Sequence, residues 1–435
     1  MIPSESFAKN YLEMFNIVYR NNLHYSSYLF LKKSLENNFK IEDNKIHTLL
    51  DVIHPSVYIH DNDLDGIISK KTELDFAVGL RRFFMNDFEV AKKKLRSVSS
   101  KNPMFIESNY LLGLIYLTEN KTKHANAYFK KCVRFSAKKK RSEFKSDQYV
   151  ETFRNRCVQQ VARLAFAEKS YQSNIKILDY VEKNDYLWPR FLIDKAWSYF
   201  HLGEYERALG TVVTYKAPLL KRFMIPEASY LRALIYYKLC LYDKSEKVYN
   251  EFNSTTWRYR KVAKTVSRNK LLSLIESKNE PKRKSDVFLY YYLKGYKKDI
   301  RYYTYKKSIT QLEDEIKKLT KIRNLKQANI FLNSLYFYKN AIQEDFKDFL
   351  KNVSDDYYLQ ISQMRSSFVK LNLMISLNKR KQITSNNKDT NDKEYEAVSL
   401  DKISATDDKF IWDFQGGFWA DELGDYAVAL KSRCK

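Results

Sequence analysis

Glycine and proline are scarce in this 435-residue chain, with only 9 and 7 residues. A β-sandwich, a barrel or a doubly wound sheet needs more turn residues than that, so those architectures are excluded. Cysteine is rarer still. Cys132, Cys157, Cys240 and Cys434 lie far apart in sequence, which removes both a zinc knuckle and a CxxC redox pair. They are read as core thiols, with Cys434, in the tail, able to stay free. No apolar run approaches the length that crosses a bilayer. Met1-Ile-Pro-Ser-Glu-Ser has neither the basic nor the apolar region of a secretion signal, so a cytoplasmic protein is expected, or a periplasmic one whose leader was removed. Phosphate-binding glycine loops, dinucleotide fingerprints, nucleophile elbows and HExxH zinc motifs are all missing. Of the six histidines only His54 and His60 lie near acids, Asp61 and Asp63. Paired carboxylates such as Asp355-Asp356 and Asp407-Asp408 fall at a helix start and in a linker, poor places for acid–base work. A non-enzymatic protein is expected.

Basic residues and aromatics are what the chain has instead. Lys and Arg number 77 against 52 Asp and Glu, giving a net charge of +25. Residues 130–145 hold eight basic side chains against Glu143 alone, and residues 258–307 hold sixteen against four acids. These blocks contribute +7 and +12, so +19 of the +25 is concentrated. Such a patch, with Lys138, Lys139, Lys140 and Arg141 at its densest point, attracts an acidic protein, nucleic acid or lipid head groups, and is otherwise a solvated lysine-rich surface. Residues 286–298 interleave aromatics with lysines, as single-strand binding does, but bunching at 288 and 290–292 reads more simply as a buried helix.

The middle of the chain repeats itself. Gly79, Phe88, Ala91 and Leu95 recur 34 residues later as Gly113, Thr122, Ala125 and Phe129. Later copies start at Val161-Ala162, Trp197-Ser-Tyr199 and Ala233-Leu-Ile-Tyr236. A small residue early, an aromatic after it and an aromatic-x-x-Ala further on resembles the tetratricopeptide repeat. The resemblance implies an all-α protein, a right-handed α-solenoid of helix pairs in which small residues let antiparallel helices approach. It also implies a partner polypeptide held in a concave groove lined by the first helix of each pair, through side chains such as Asn109, Tyr116, Arg163 and Asp194.

Around the repeats, residues 1–60 read as an N-terminal helical cap, 61–71 as an acidic turn, and 72–252 as the solenoid. In the turn, Asp61, Asp63, Asp65 and Gly66 match the first half of an EF-hand loop, but position twelve is Thr72 rather than a bidentate acid. Both readings stay open: a weak calcium site and a polar turn stabilised by aspartates. Residues 253–377 read as further helices ending in a long hairpin. One arm carries Ile309 to Leu350, Ser354-Asp355-Asp356 starts the returning arm, and Leu359 to Ile375 complete it. Residues 378–408 read as a linker.

The tail, 409–435, reverses the body's charge: seven acids face two lysines between Asp401 and Asp425. Its run Trp412-Asp-Phe414-Gln-Gly416-Gly417-Phe-Trp419-Ala-Asp421-Glu422-Leu423-Gly424-Asp425-Tyr426 resembles the C-terminal segment of large tetratricopeptide-repeat proteins of gliding and predatory bacteria, some linked to envelope complexes. Gly417 stands where that pattern usually has glutamate. Trp412, Phe414 and Trp419 are expected to dock the tail on the basic helical body, as an end cap or as a stand-in for a ligand. The leading function is a protein–protein interaction scaffold holding a partner polypeptide in the concave groove, a partner that the basic body allows to be acidic. The alternative is nucleic-acid binding through the two basic blocks.

Overall fold

A computed structural model describes residues 5–37, 41–61, 74–102, 104–138, 147–183, 185, 187–220, 225–321, 326–386, 417–419, 422–428 and 432–434. Among these the regular structure is helical throughout, with no strand. The helices are α1 (Glu5–Arg20), α2 (His24–Glu36), α3 (Asp43–Val52), α4 (Ser56–Ile59), α5 (Asp75–Phe84), α6 (Phe88–Ser97), α7 (Phe105–Thr118), α8 (Thr122–Lys138) and α9 (Asp147–Ala167). There follow α10 (Tyr171–Leu178), α11 (Trp188–His201), α12 (Tyr205–Val213), α13 (Pro226–Lys238), α14 (Tyr242–Phe252) and α15 (Arg258–Thr265). The last four are α16 (Arg268–Glu276), α17 (Lys284–Gly295), α18 (Ile300–Thr320) and α19 (Lys326–Asn386). The chain divides into two compact units, residues 1–164 with 298–348, and residues 165–297 with 349–435.

Six helix pairs, α1/α2 among them, are marked by the same backbone event. Two residues before the second helix of each pair, the chain enters the left-handed region, at Asn22 (φ 57°), Asn86 (φ 60°), Asn120 (φ 57°), Lys169 (φ 60°), Gly203 (φ 79°) and Cys240 (φ 55°). A left-handed residue ends one helix and lets the chain reverse into the next. Asparagine and glycine tolerate that conformation; cysteine does so only against steric cost. Small residues then set how closely the paired helices approach. A Cβ on Gly79 would lie 2.8 Å from Leu95, and one on Gly113 would lie 2.4 Å from the ring of Phe129.

In the first unit, α1–α4, the pairs α5/α6 and α7/α8, α18 and the first part of α19 share one core. Phe15, Tyr25, Leu49, Phe76, Leu95, Ile115, Leu312 and Ile342 are all buried within it. The start of α2 illustrates how the layers are joined. Leu23 stands at its N-cap position and supplies no side-chain oxygen. Glu315 of α18 does so from across the core, accepting from the Tyr25 N–H at 3.0 Å, the Ser26 N–H at 3.1 Å and the Ser26 hydroxyl at 2.9 Å. A carboxylate there satisfies orphan donors and meets the positive end of the helix dipole. Burial still raises the pKa of Glu315 above its ordinary value, although these bonds pull the other way.

The hairpin expected around Ser354 is not formed, because α19 runs unbroken for 61 residues. Ser354 lies mid-helix and donates its hydroxyl to the Ala263 carbonyl at 2.7 Å, while Asp355 pairs with Lys351 one turn back at 2.6 Å. Both side chains that resembled a helix start are therefore engaged elsewhere, and neither glycine nor proline interrupts the run. The chain reverses earlier, after Thr320. Glu313 pairs with Lys339 at 2.8 Å and Tyr305 stacks on Phe346 at 5.1 Å, as antiparallel neighbours do. The helix also continues to Asn386, into the segment expected to be linker.

In the second unit, α11/α12 and α13/α14 stack around Ala196, Leu209, Val212, Leu231 and Ile235. A single π-helical stretch, Asn253–Trp257, carries α14 into α15. The later part of α19 lies against α13 and α14. Phe368 packs on Tyr230, Tyr249 and Phe252, and Lys379 bridges Asp243 and Glu246 at 2.7 and 2.8 Å. No helix of the described residues is long and apolar enough to cross a membrane.

Candidate interaction surface

In the second unit the described part of the C-terminal tail lies on a surface made by α11, α12 and the end of α13. The Gly424 N–H donates to the Thr214 hydroxyl at 3.2 Å. The Val428 N–H donates to the Glu206 carbonyl at 3.0 Å, and the Arg433 N–H to the Leu239 carbonyl at 2.9 Å. Between the first two, the tail's main chain passes directly over Gly210, where a Cβ would sit 1.8 Å from the Tyr426 carbonyl oxygen. Tail residues 424, 426 and 428 thus meet 214, 210 and 206, so the tail runs opposite to α12. The registers agree for a simple reason. Four helical residues rise about 6 Å, a span that two residues of a non-helical chain cover, so every second tail residue meets a successive turn of α12 and its end.

Side chains fix the tail's position along this track. Leu423 is buried, with 2% of its surface exposed. Gly424, at φ +92°, lies so close to α11 that a Cβ would be 2.8 Å from Leu192 and 3.0 Å from Trp188. Only glycine meets both demands, backbone and space. Asp425 pairs with Lys183 at 2.8 Å and lies 4.0 Å from Lys195, which itself holds Asp179 at 2.7 Å. Burial works against the Lys195 charge, but Tyr199, Asp179 and Asp425 outweigh it and raise the lysine's pKa. The tail is then tied covalently: Cys434 forms a disulfide with Cys240. A second disulfide joins Cys132 of α8 to Cys157 of α9.

The cysteines correct the sequence reading, since none is free. Helix packing brings together residues 25 and 194 positions apart, a pairing that spacing in sequence does not reveal. The aromatic docking residues are also placed differently. Trp419 is 68% exposed, and its backbone N–H donates to the Tyr426 hydroxyl at 2.8 Å, within the tail itself. Trp412 and Phe414 lie outside the described residues. Leu423, Gly424, Asp425 and the main chain make the contacts instead. The signals that could have found them were Gly424, a glycine in a glycine-poor chain, and the cysteine at the tail's end.

The four groove residues do not form one set. Asn109 and Tyr116 of α7 are buried, at 2% and 4% exposure. Asn109 donates to the Phe105 carbonyl at 2.6 Å. Tyr116 stacks on Tyr128 and His124 at 5.4 and 5.3 Å, with Lys92 and Arg96 against its ring. Both belong to the first unit's packing rather than to an open face. Arg163 of α9 is exposed, and Asp194 of α11, in the second unit, is half-buried.

Of the basic block 130–145, Lys130 and Lys131 are exposed on α8, the helix ends at Lys138, and Lys139, Lys140 and Arg141 lie outside the described residues, as does the Lys138 side chain. In 258–307 part of the charge is engaged locally, Lys270 with Asp286 at 2.6 Å and Arg301 with Asp299 at 2.8 Å. Tyr290 and Tyr292 are buried. Asp63 and Asp65 also fall outside the described residues. Asp61 accepts from Lys32 at 2.8 Å and from the Tyr28 hydroxyl at 2.9 Å, so its carboxylate already has donors where a calcium ion would need it. His60 faces Asp345 at 3.0 Å. The buried His54 accepts from the Ser56 N–H at Nδ1, 3.2 Å away, and burial lowers its pKa to about 4. Among the described residues no group of three or more His, Cys, Asp or Glu could hold a metal ion.

Residues 106–139, which span most of α7 and all of α8, match the tetratricopeptide repeat family. Among solved structures the chain is similar to RapI in its apo form, with 11% identity over 78% of this chain and 99% of that one, at a TM-score of 0.39. It is similar also to the Rap conjugation gene regulator of plasmid pLS20, solved in complex with the Phr* peptide, with 13% identity over 78% and 96%, at a TM-score of 0.30. No curated protein matches the chain.

Proposed function

We propose that this tetratricopeptide-repeat chain is a non-enzymatic scaffold that holds extended polypeptide segments on the face of α11, α12 and the end of α13. The observation that carries the reading is the seating of the tail, in which a non-helical segment follows α12 over Gly210 with its main chain bonded to Glu206 and Leu239. Main-chain recognition supplies general affinity, and side-chain positions select. Here the selective positions are an apolar residue, then glycine, then an acid received by Lys183 and Lys195. A partner with that pattern is locally acidic. The envelope setting implied by the tail's resemblance belongs to this proposal too, because disulfides form and persist in oxidising compartments.

The face is tested in a full-length variant whose tail is released by L423D and C434S. A fluorescein-labelled peptide of residues 417–435, carrying C434S, is expected to bind it saturably, and G210V added to the variant should abolish that binding. A released-tail protein with unchanged helical circular dichroism that ignores the peptide would remove the reading.

A further inference from the structure

The two disulfides differ in where they sit. Cys132 and Cys157 are both 0% exposed, sealed between α8 and α9. Cys240 and Cys434 are only half-buried, and the exposed Arg433 adjoins the second of them. Thiol exchange requires an incoming thiolate to reach a sulfur, and neighbouring positive charge favours thiolates. Basic residues adjoin both pairs, Lys131 and Arg156 beside the interior cysteines as Arg433 is beside Cys434, so access alone separates them, and only the surface pair has it.

The position of Cys240 is informative as well. It holds the left-handed turn at φ 55°, the place that Gly203 fills with φ 79° in the preceding pair. A cysteine is poorly suited to that backbone, yet this one is bonded to Cys434 of the tail. The tail reaches it only after crossing the whole face, from Thr214 at one end of the track to Leu239 at the other.

We propose that Cys240–Cys434 is a thiol-exchangeable latch that keeps the tail on its face and, once reduced, opens that face to a partner segment. This rests on the reading of the face given above. The reductant is a dithiol. Its thiolate attacks Cys434 Sγ, forming a mixed disulfide, and the Cys240 sulfur leaves as a thiolate and takes up a proton. The second thiol of the reductant, as its thiolate, attacks the mixed disulfide, so Cys434 leaves and is protonated and the dithiol closes its own disulfide. Two electrons and two protons pass to the protein. While the latch is closed, the tail cannot dissociate far and excludes competitors; once open, it becomes a tethered competitor that a free segment can displace.

The test uses the full-length protein and the fluorescein-labelled 417–435 peptide carrying C434S. Differential alkylation under native conditions with a graded dithiol should label Cys240 and Cys434 first, while Cys132 and Cys157 stay protected until denaturant is added. Oxidised wild type should bind the peptide at least tenfold more weakly than reduced wild type, and C434S should bind without reductant. Equal binding by oxidised and reduced protein overturns the latch. So does silence in both, if the released-tail variant L423D/C434S binds, because the tail then holds without its disulfide. If that variant is silent too, the reading of the face itself has failed. Four alkylated cysteines in the untreated protein would also overturn the latch.

Discussion

The two units close their helical layers by different means. In the first, a helix supplies the closure through side chains: Glu315 of α18 reaches the bare start of α2, and Leu312 and Ile316 fill the core beside it. In the second, a non-helical tail supplies it largely through main chain, across a glycine, and a disulfide secures the end. The glycines show the contrast most directly. Gly113 makes room for the ring of Phe129, whereas Gly210 makes room for the backbone of Tyr426. A closure built from side chains is fixed by every residue that packs into it. One built from main chain can be exchanged for another strand of similar outline.

The largest expected effect falls on the side-chain closure. Glu315→Ala leaves the buried N–H groups of Tyr25 and Ser26 without their acceptor, a loss of about 3 kcal/mol. Urea denaturation of the full chain should show it as a lowered midpoint. A change below about 1 kcal/mol would mean that α2 finds another cap, and the contrast between the units would weaken.

Next in size is a pH effect confined to the first unit. His54 is buried and neutral, with a folded pKa of about 4. The unfolded chain binds its proton near pH 6.5, so stability falls as pH drops below that value and the loss ends near the folded pKa. Between pH 7 and pH 5 the cost is about 2 kcal/mol. Glu107 and Glu315 have raised pKa values through burial and shift stability in the opposite sense. Comparing wild type with H54Q at both pH values cancels them, since both proteins keep these acids. An identical pH dependence in the two proteins would show that His54 is not held neutral.

The smallest global effect, and the sharpest comparison, comes from the two glycines. Gly113→Ala should cost about 1–2 kcal/mol, because the Phe129 ring must shift within a packed core. Gly210→Ala should leave the midpoint nearly unchanged, yet expose the Val428 and Arg433 amides to hydrogen exchange as the tail lifts. Equal losses at the two positions would erase the distinction between the closures.

Much of the repeat architecture was legible in the sequence because side chains encode it. Gly79 and Gly113 recur 34 residues apart since each must admit a side chain from its paired helix. The turn positions carry Asn86, Asn120 and Gly203, residues suited to a left-handed backbone. The tail's site was less legible for the converse reason. Hydrogen bonds from Val428 and Arg433 are made by main chain and leave no residue signature, whereas the conspicuous Trp419 is exposed. Ser354-Asp355 misled because a hydroxyl and a carboxylate suited to a helix start can equally serve a neighbouring carbonyl and a lysine one turn back. Tyr116 misled because an aromatic on a repeat's first helix packs inward as readily as it faces a groove.

The link between Cys240 and Cys434 also has a mechanical meaning. A pull on the C-terminus enters the polypeptide at residue 434 and passes through sulfur straight to residue 240. The covalent ring between them contains α14 to α19, and its residues carry no tension while the bond holds. The tensioned path through the protein is then shorter by 194 residues. Reduction would return that slack at once, so stretching a single tethered molecule with and without a dithiol should give contour lengths that differ by about 190 residues' worth of extended chain, roughly 3.4 Å for each.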